Sequence, residues 1–130
     1  MDPVVHFEIA AGDIEKTQAF YKEVFGWKFQ SVPMPEGQSY HMIYTSPVDD
    51  EQMLLEKGRI NGGMVAKEGS DPGTVVVINV PSIDTVLEKI TANGGDVVFP
   101  RQQVMDMGFY ARAKDCDGNV IGIWEDAKKE

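Results

Sequence analysis

The chain has 130 residues, a length that one domain satisfies and that buries roughly two thirds of its unfolded surface without covalent staples. Hydrophobic residues make up 42% and charged residues 25%, which excludes a disordered or fibrous class. Asp and Glu outnumber Lys and Arg by 21 to 12, a formal charge of −9, so neither nucleic acid nor an anionic membrane is an expected partner. No apolar run approaches the roughly 18 residues of a membrane span. The opening MDPVVHFEIA has no basic region followed by a long apolar one, so it does not read as a secretory signal. The lone Cys116 rules out an internal disulfide and any multi-cysteine metal site. A reducing cytoplasm is the expected location.

Val4 to Ala10 alternates, with Val5, Phe7 and Ile9 on one side and His6 and Glu8 on the other, as a strand with one face on a core does. Asp13 is an N-cap for a helix whose stripe is Ile14, Thr17, Tyr21 and Val24, with Phe20 and Phe25 beside it. Gly26 supplies the stop. Trp27 to Val32 reads as a second strand, closed by the loop Pro33-Met34-Pro35-Glu36-Gly37. Gln38 to Thr45 reads as a third strand, both of whose faces are partly apolar. Pro47 to Arg59 is acidic and irregular, a loop. Ile60 to Lys67, with Gly62-Gly63, reads as a fourth strand in which the glycines permit close backbone approach or a bulge.

After Gly69-Ser70-Asp71-Pro72-Gly73 the plan recurs. Thr74 to Val80 is a strand, and Ser82 caps a helix with Ile83, Val86, Leu87 and Ile90 on its stripe. Gly94-Gly95 ends that helix. Asp96 to Phe99 is a strand closed by Pro100, and Phe109 to Lys114 is another. Asp117-Gly118 marks a hairpin turn, and Asn119 to Glu125 is the last strand before a charged tail. Sliding the first half by 69 positions, the separation of Ile9 from Ile78, lands Asp13 on Ser82, Ile14 on Ile83, Tyr21 on Ile90 and Gly26 on Gly95. The expected fold is therefore α+β, built from two βαβββ modules, residues 4–68 and 74–125. Neither sheet covers its own face alone, so the two are expected to make one domain.

The stretch HFEIAAGDIEKTQAFYKEVFGWKF, with INVPSIDTVLEKITANGGDVVFP and FYARAKDCDGNVIGIWE, resembles the vicinal oxygen chelate superfamily: glyoxalase I, extradiol dioxygenases, and bleomycin and fosfomycin resistance proteins. GRINGGM resembles the fourth strand of small, two-module, glyoxalase-like members. The resemblance spans nearly the whole chain. It implies a curved mixed sheet closing around a small-molecule cavity and a homodimer, and it leaves the reaction open, since one fold hosts many functions.

Metal-using members of the superfamily place four His or Glu ligands on the cavity face, on the first and last strands of each module. The resemblance maps the first onto His6, which stands seven residues before Asp13. Its counterpart, 69 positions on, is Val75, and the last-strand ligand maps to Gly122. The first module's fourth strand, INGGMVAK, offers no His, Asp or Glu. A divalent cation needs several converging N/O donors, so no metal and no other cofactor is expected, with His6 the one ligand should a metal be found. The alternative is a Zn, Ni, Fe or Mn site completed by Glu8 and His41, a facial triad that requires His41 to reach across from the third strand, roughly 10 Å away.

Three functions compete, the last of them a scaffold or regulatory module with no small-molecule role. The first is a metal-independent, bleomycin-resistance-like protein that binds a small molecule, with His6, Glu8, His41, Tyr110, Arg112 and Trp124 as candidate ligand contacts. Tyr110 and Arg112 share a face, as do Gly122 and Trp124, so a phenol, a guanidinium and a stacking wall are available. The second is a glyoxalase-like lyase or isomerase with Glu8 or His6 as catalytic base. Each residue also has a plainer reading: His6 as a polar wall residue, Glu8 as a solvated carboxylate, Arg112 in an ion pair, Trp124 in a core. Cys116 lies between Asp115 and Asp117, whose charges oppose thiolate formation, so it is not read as a nucleophile.

Overall fold

A computed structural model of the chain describes residues 1–34, 39–68 and 72–128. The expected boundaries at Gln38, at Pro35 to Gly37, at Gly69 to Asp71 and at the last two tail residues lie outside the described residues. The elements run β1 (Val4–Ala11), α1 (Ile14–Phe25), β2 (Lys28–Pro33), β3 (Ser39–Tyr44), β4 (Asn61–Ala66), β5 (Thr74–Asn79), α2 (Ile83–Ala92), β6 (Asp96–Val104), β7 (Gly108–Lys114) and β8 (Val120–Asp126). The fold is α+β with two βαβββ modules, as the repeat requires. By packing, the chain divides into one unit of His6–Thr74 and another that joins Met1–Val5 to the residues from Val75 onward.

In the first unit the strand order is β2-β3-β4-β1, with β1 and β4 parallel and the other pairs antiparallel. Asp13 caps α1: its carboxylate accepts from Lys16 N–H at 3.0 Å. Gly26 closes the helix in the left-handed region, φ +73°. Ile9, Ala11, Ile43 and Met64 form the core, with Phe7, Ile14, Tyr21, Trp27 and Phe29 packed on it. The helical stripe is narrower than the apolar residues suggest. Val24 and Phe20 are exposed, because a turn starting from Ile14 and Tyr21 carries them past the sheet-facing side. Pro47 to Arg59 is irregular as expected, tied by Asp49, whose carboxylate accepts from Glu51 and Met53 N–H.

The second unit repeats the plan, in the order β5-β8-β7-β6 with β5 and β8 parallel. Ser82 caps α2 by accepting from Thr85 N–H. The Glu125 carboxylate accepts from Ile83 N–H at 2.8 Å, placing an anion at the positive end of α2. Val80, Ile83, Ala111, Ala113 and Ile123 make the core. One boundary differs: Pro100 does not close β6, which continues to Val104 through two register shifts, Val97/Phe99 and Phe99/Gln102. β6 is the outer strand of its sheet, where a residue without an N–H interrupts no second ladder, and the irregularity absorbs it.

Asp13→Ala is expected to cost about 1 kcal/mol, since it leaves a first-turn N–H without its acceptor. Urea denaturation checks it, with Asp13→Asn expected to retain most of the stability.

Candidate functional site

Each sheet has a face under its helix and a face turned away. In β1, Phe7, Ile9 and Ala11 enter the core, so alternation sends His6 and Glu8 to the opposite face. In β3, Ile43 is fully buried in that same core, which turns Tyr40 and Met42 to the side of His6 and Glu8. Sequence alone left this orientation open.

His41 falls on the other side. It pairs with Met64, and Met64 with Ile9, so the three lie in one row on the helix face. Its Nδ1 lies 2.9 Å from the Ser31 hydroxyl. The His6–Glu8–His41 triad does not assemble, and among the described residues no group of three or more His, Cys, Asp or Glu converges as a metal site requires.

His6 instead meets Tyr40, with Nε2 and the phenol oxygen 2.9 Å apart. Burial lowers the His6 pKa below its ordinary value, and the Glu8 carboxylate opposes that only in part. The ring is therefore neutral at neutral pH. Glu8 is itself buried, 7% exposed. It pairs across β1 and β4 with Gly63, and a Cβ placed on Gly63 would overlap the Tyr40 hydroxyl. Tyr40 is the residue that sequence reading passed over. Its signal was the shared parity of Tyr40, Met42 and Tyr44, hidden because the opposite parity holds Ile43.

The lowered His6 pKa has a stability consequence. Between the folded value and the unfolded value near 6.5, the unfolded chain binds a proton that the folded chain does not. Stability is thus full above that window and falls as pH drops through it. Melting temperatures taken from pH 7.5 down to pH 5 are expected to decline, and to decline less in His6→Gln, after allowance for the other groups.

The second unit carries the other candidates together. Phe109, Ala111 and Ala113 face α2, so Tyr110 and Arg112 face away from it. Tyr110 pairs with Trp124 and Arg112 with Gly122 across β7 and β8, which puts all four on one face. Arg112 Nε donates to the Tyr110 hydroxyl at 2.7 Å, and Trp124 Nε1 donates to Asp126 at 2.8 Å. Val75 and Val77 are buried, 3% exposed each. Val77 pairs with Gly122 as Glu8 pairs with Gly63, and 77 is 8 plus 69, so the two glycines are equivalent positions of the repeat. A Cβ on Gly122 would stand 2.8 Å from the Tyr110 hydroxyl.

A glyoxylase-like domain-containing protein of Didymella fabae is 32% identical over 124 residues, which cover 89% of this chain and 88% of the relative. This chain belongs to the glyoxalase-like family. The family relatives and the shared fold together support the vicinal oxygen chelate superfamily. Residues 4–46 match the bleomycin resistance protein-like N-terminal family. CFP32 of Mycobacterium tuberculosis, a glyoxylase by name, is 25% identical over 118 residues; these cover 91% of this chain, but the chain spans less than half, 43%, of that relative's length. A Streptomyces coelicolor methylmalonyl-CoA epimerase variant in complex with 2-nitronate-propionyl-CoA shares the fold, with a TM-score of 0.66 at 16% identity over 98% of this chain and 96% of the other. Among the described residues no helix is long and apolar enough to cross a membrane.

The superfamily's chelate implies a divalent cation, and the donor set here does not fit one. The equivalent positions hold His6 and Gly63 in one module and Val75 and Gly122 in the other, a single imidazole for four ligands. Water in the remaining positions leaves the ion no better held than in bulk solvent.

Proposed function

We propose that this chain is a small-molecule-binding protein of the glyoxalase and bleomycin-resistance type that holds its ligand without a divalent cation. The observation that carries the reading is Tyr40: its phenol lies over Gly63 and meets His6 Nε2, so the remaining imidazole takes part in a hydrogen-bonded pair. The sheet faces turned from the helices offer hydrogen-bonding and aromatic groups: Tyr40, His6 and Glu8 in one module, Tyr110, Arg112 and Trp124 in the other. Such groups orient a small ligand by donors, acceptors and stacking. Superfamily relatives that bind coenzyme A esters support the small-molecule reading.

A second reading, a lyase or isomerase, draws on Glu8, a buried carboxylate on the same face as a phenol. A carboxylate removes a proton beside a carbonyl, and a phenol can stabilise the oxyanion that results. Both readings draw on the face of the first module that carries His6, Glu8 and Tyr40.

A thermal-shift screen of small aromatic and carbonyl compounds in the presence of EDTA tests the proposal, since a ligand specific to the folded state raises the melting temperature by mass action. A hit that persists in EDTA and weakens in Tyr40→Phe is expected. Hits that appear only when Ni²⁺, Zn²⁺, Mn²⁺ or Fe²⁺ is supplied would overturn it.

A further inference from the structure

We infer that Tyr40 is the side chain that closes the chelate position of the first module, and that Tyr110 closes the equivalent position of the second. This rests on the metal-independent reading and adds the physical device behind it. A ligand position that merely loses its donor leaves room that water fills, and water is an acceptable metal ligand. Here the room itself is occupied.

In the first module, position 63 is where β4 presents a side chain on the face of His6 and Glu8. The Tyr40 hydroxyl occupies the place of a Cβ on that residue. The same hydroxyl lies 2.9 Å from His6 Nε2, the nitrogen at the tip of the ring. One phenol therefore fills one ligand position and engages the donor at another, which makes Tyr40 a positioning residue for His6.

The second module repeats the arrangement with a different partner. Tyr110 lies over Gly122 as Tyr40 lies over Gly63, and its hydroxyl is 2.8 Å from where the Cβ of Gly122 would stand. Arg112, directly opposite Gly122 across β7 and β8, donates to that hydroxyl at 2.7 Å. A guanidinium beside a would-be ligand position repels a divalent cation as well as excluding it. The two modules thus arrive at the same closure: a glycine on the fourth strand and a tyrosine from the third.

Ni²⁺ titration by calorimetry tests this in the first module. Positions 6 and 63 lie on one face of adjacent strands, diagonal to each other across the β1–β4 pair, within reach of two imidazoles on one ion. Gly63→His supplies the second donor, and Tyr40→Ala opens the room. The double variant Tyr40→Ala/Gly63→His is expected to bind one Ni²⁺ per chain at least about tenfold more tightly than Gly63→His alone, and to lose that binding when His6→Ala is added. Equal binding by Gly63→His with Tyr40 in place, or none by the folded double variant, would overturn the inference. Ni²⁺ bound tightly by the unaltered chain would instead overturn the metal-independent reading, so the two failures are distinct. Should Gly63→His not fold, Gly63→Ala serves in its place. It is expected to lower the melting temperature sharply beside Tyr40 and much less beside Tyr40→Ala. An equal fall in both backgrounds would contradict closure by Tyr40.

Discussion

Gly95→Ala is expected to destabilise the chain by about 3 kcal/mol, a fall in melting temperature on the order of 10 °C. The Gly95 N–H donates to the Ile90 carbonyl at 2.8 Å as the chain leaves α2 for β6. A Cβ there would run into the Lys114 carbonyl of β7 and the Ile90 side chain. The first of these is backbone within a paired strand, and it cannot step aside without breaking the β6–β7 ladder. Gly94, next to it, already has φ +92°, so the turn has no slack on that side. Gly73→Ala is the control, since a Cβ at Gly73 meets nothing within 4 Å. A Gly95→Ala protein that melts within 2–3 °C of the unaltered chain would show that the α2–β6 turn can shift, about the effect of a surface change.

Ile43→Ala is expected to cost about 4 kcal/mol. Ile43 is fully buried between β2 and β4, paired with Phe29 on one side and Gly62 on the other. Because Gly62 has no side chain, and a Cβ there would meet the Phe7 ring at 2.7 Å, the hole left by Ile43 cannot be filled from that neighbour. Val24→Ala removes atoms from a side chain that is 57% exposed and should cost less than about 0.5 kcal/mol. Equilibrium denaturation in urea measures both, and a difference below about 1 kcal/mol between them would mean that the first module's core is loosely packed.

The fold was legible because its signals are local and doubled. Asp13 and Ser82 each accept from the N–H three residues on, Gly26 and Gly94 each end a helix with positive φ, and the same strand order follows in both modules. What escaped were features decided between strands. Pro100 reads as a stop along the chain, but β6 is an outer strand and its ladder tolerates a gap. Val24 reads as a stripe residue with Phe20 beside it, but the sheet covers only the side of α1 that carries Ile14 and Tyr21.

The site was legible in half. Val75 follows from the repeat, Gly122 from the resemblance, and the pairs Tyr110/Arg112 and Gly122/Trp124 from strand alternation, while the register of β7 on β8 is what joins the two pairs on one face. The place of His41 does not, since both parities of β3 carry apolar residues and only the burial of Ile43 decides which is inward. Tyr40 escaped for the same reason. Its importance comes from the register that sets Gly63 opposite Glu8 and from the missing side chain at that glycine, a relation among three strands that no single segment displays.

We propose that the chain works without the superfamily's metal. Inductively coupled plasma mass spectrometry on protein purified without chelators or added metals, followed by titration with Ni²⁺ and Zn²⁺, tests it most directly. Far less than one equivalent of any transition metal per chain is expected as purified, with no tight stoichiometric binding on titration. One equivalent of Ni, Zn, Fe or Mn per chain, retained through dialysis and lost in His6→Ala, would contradict it.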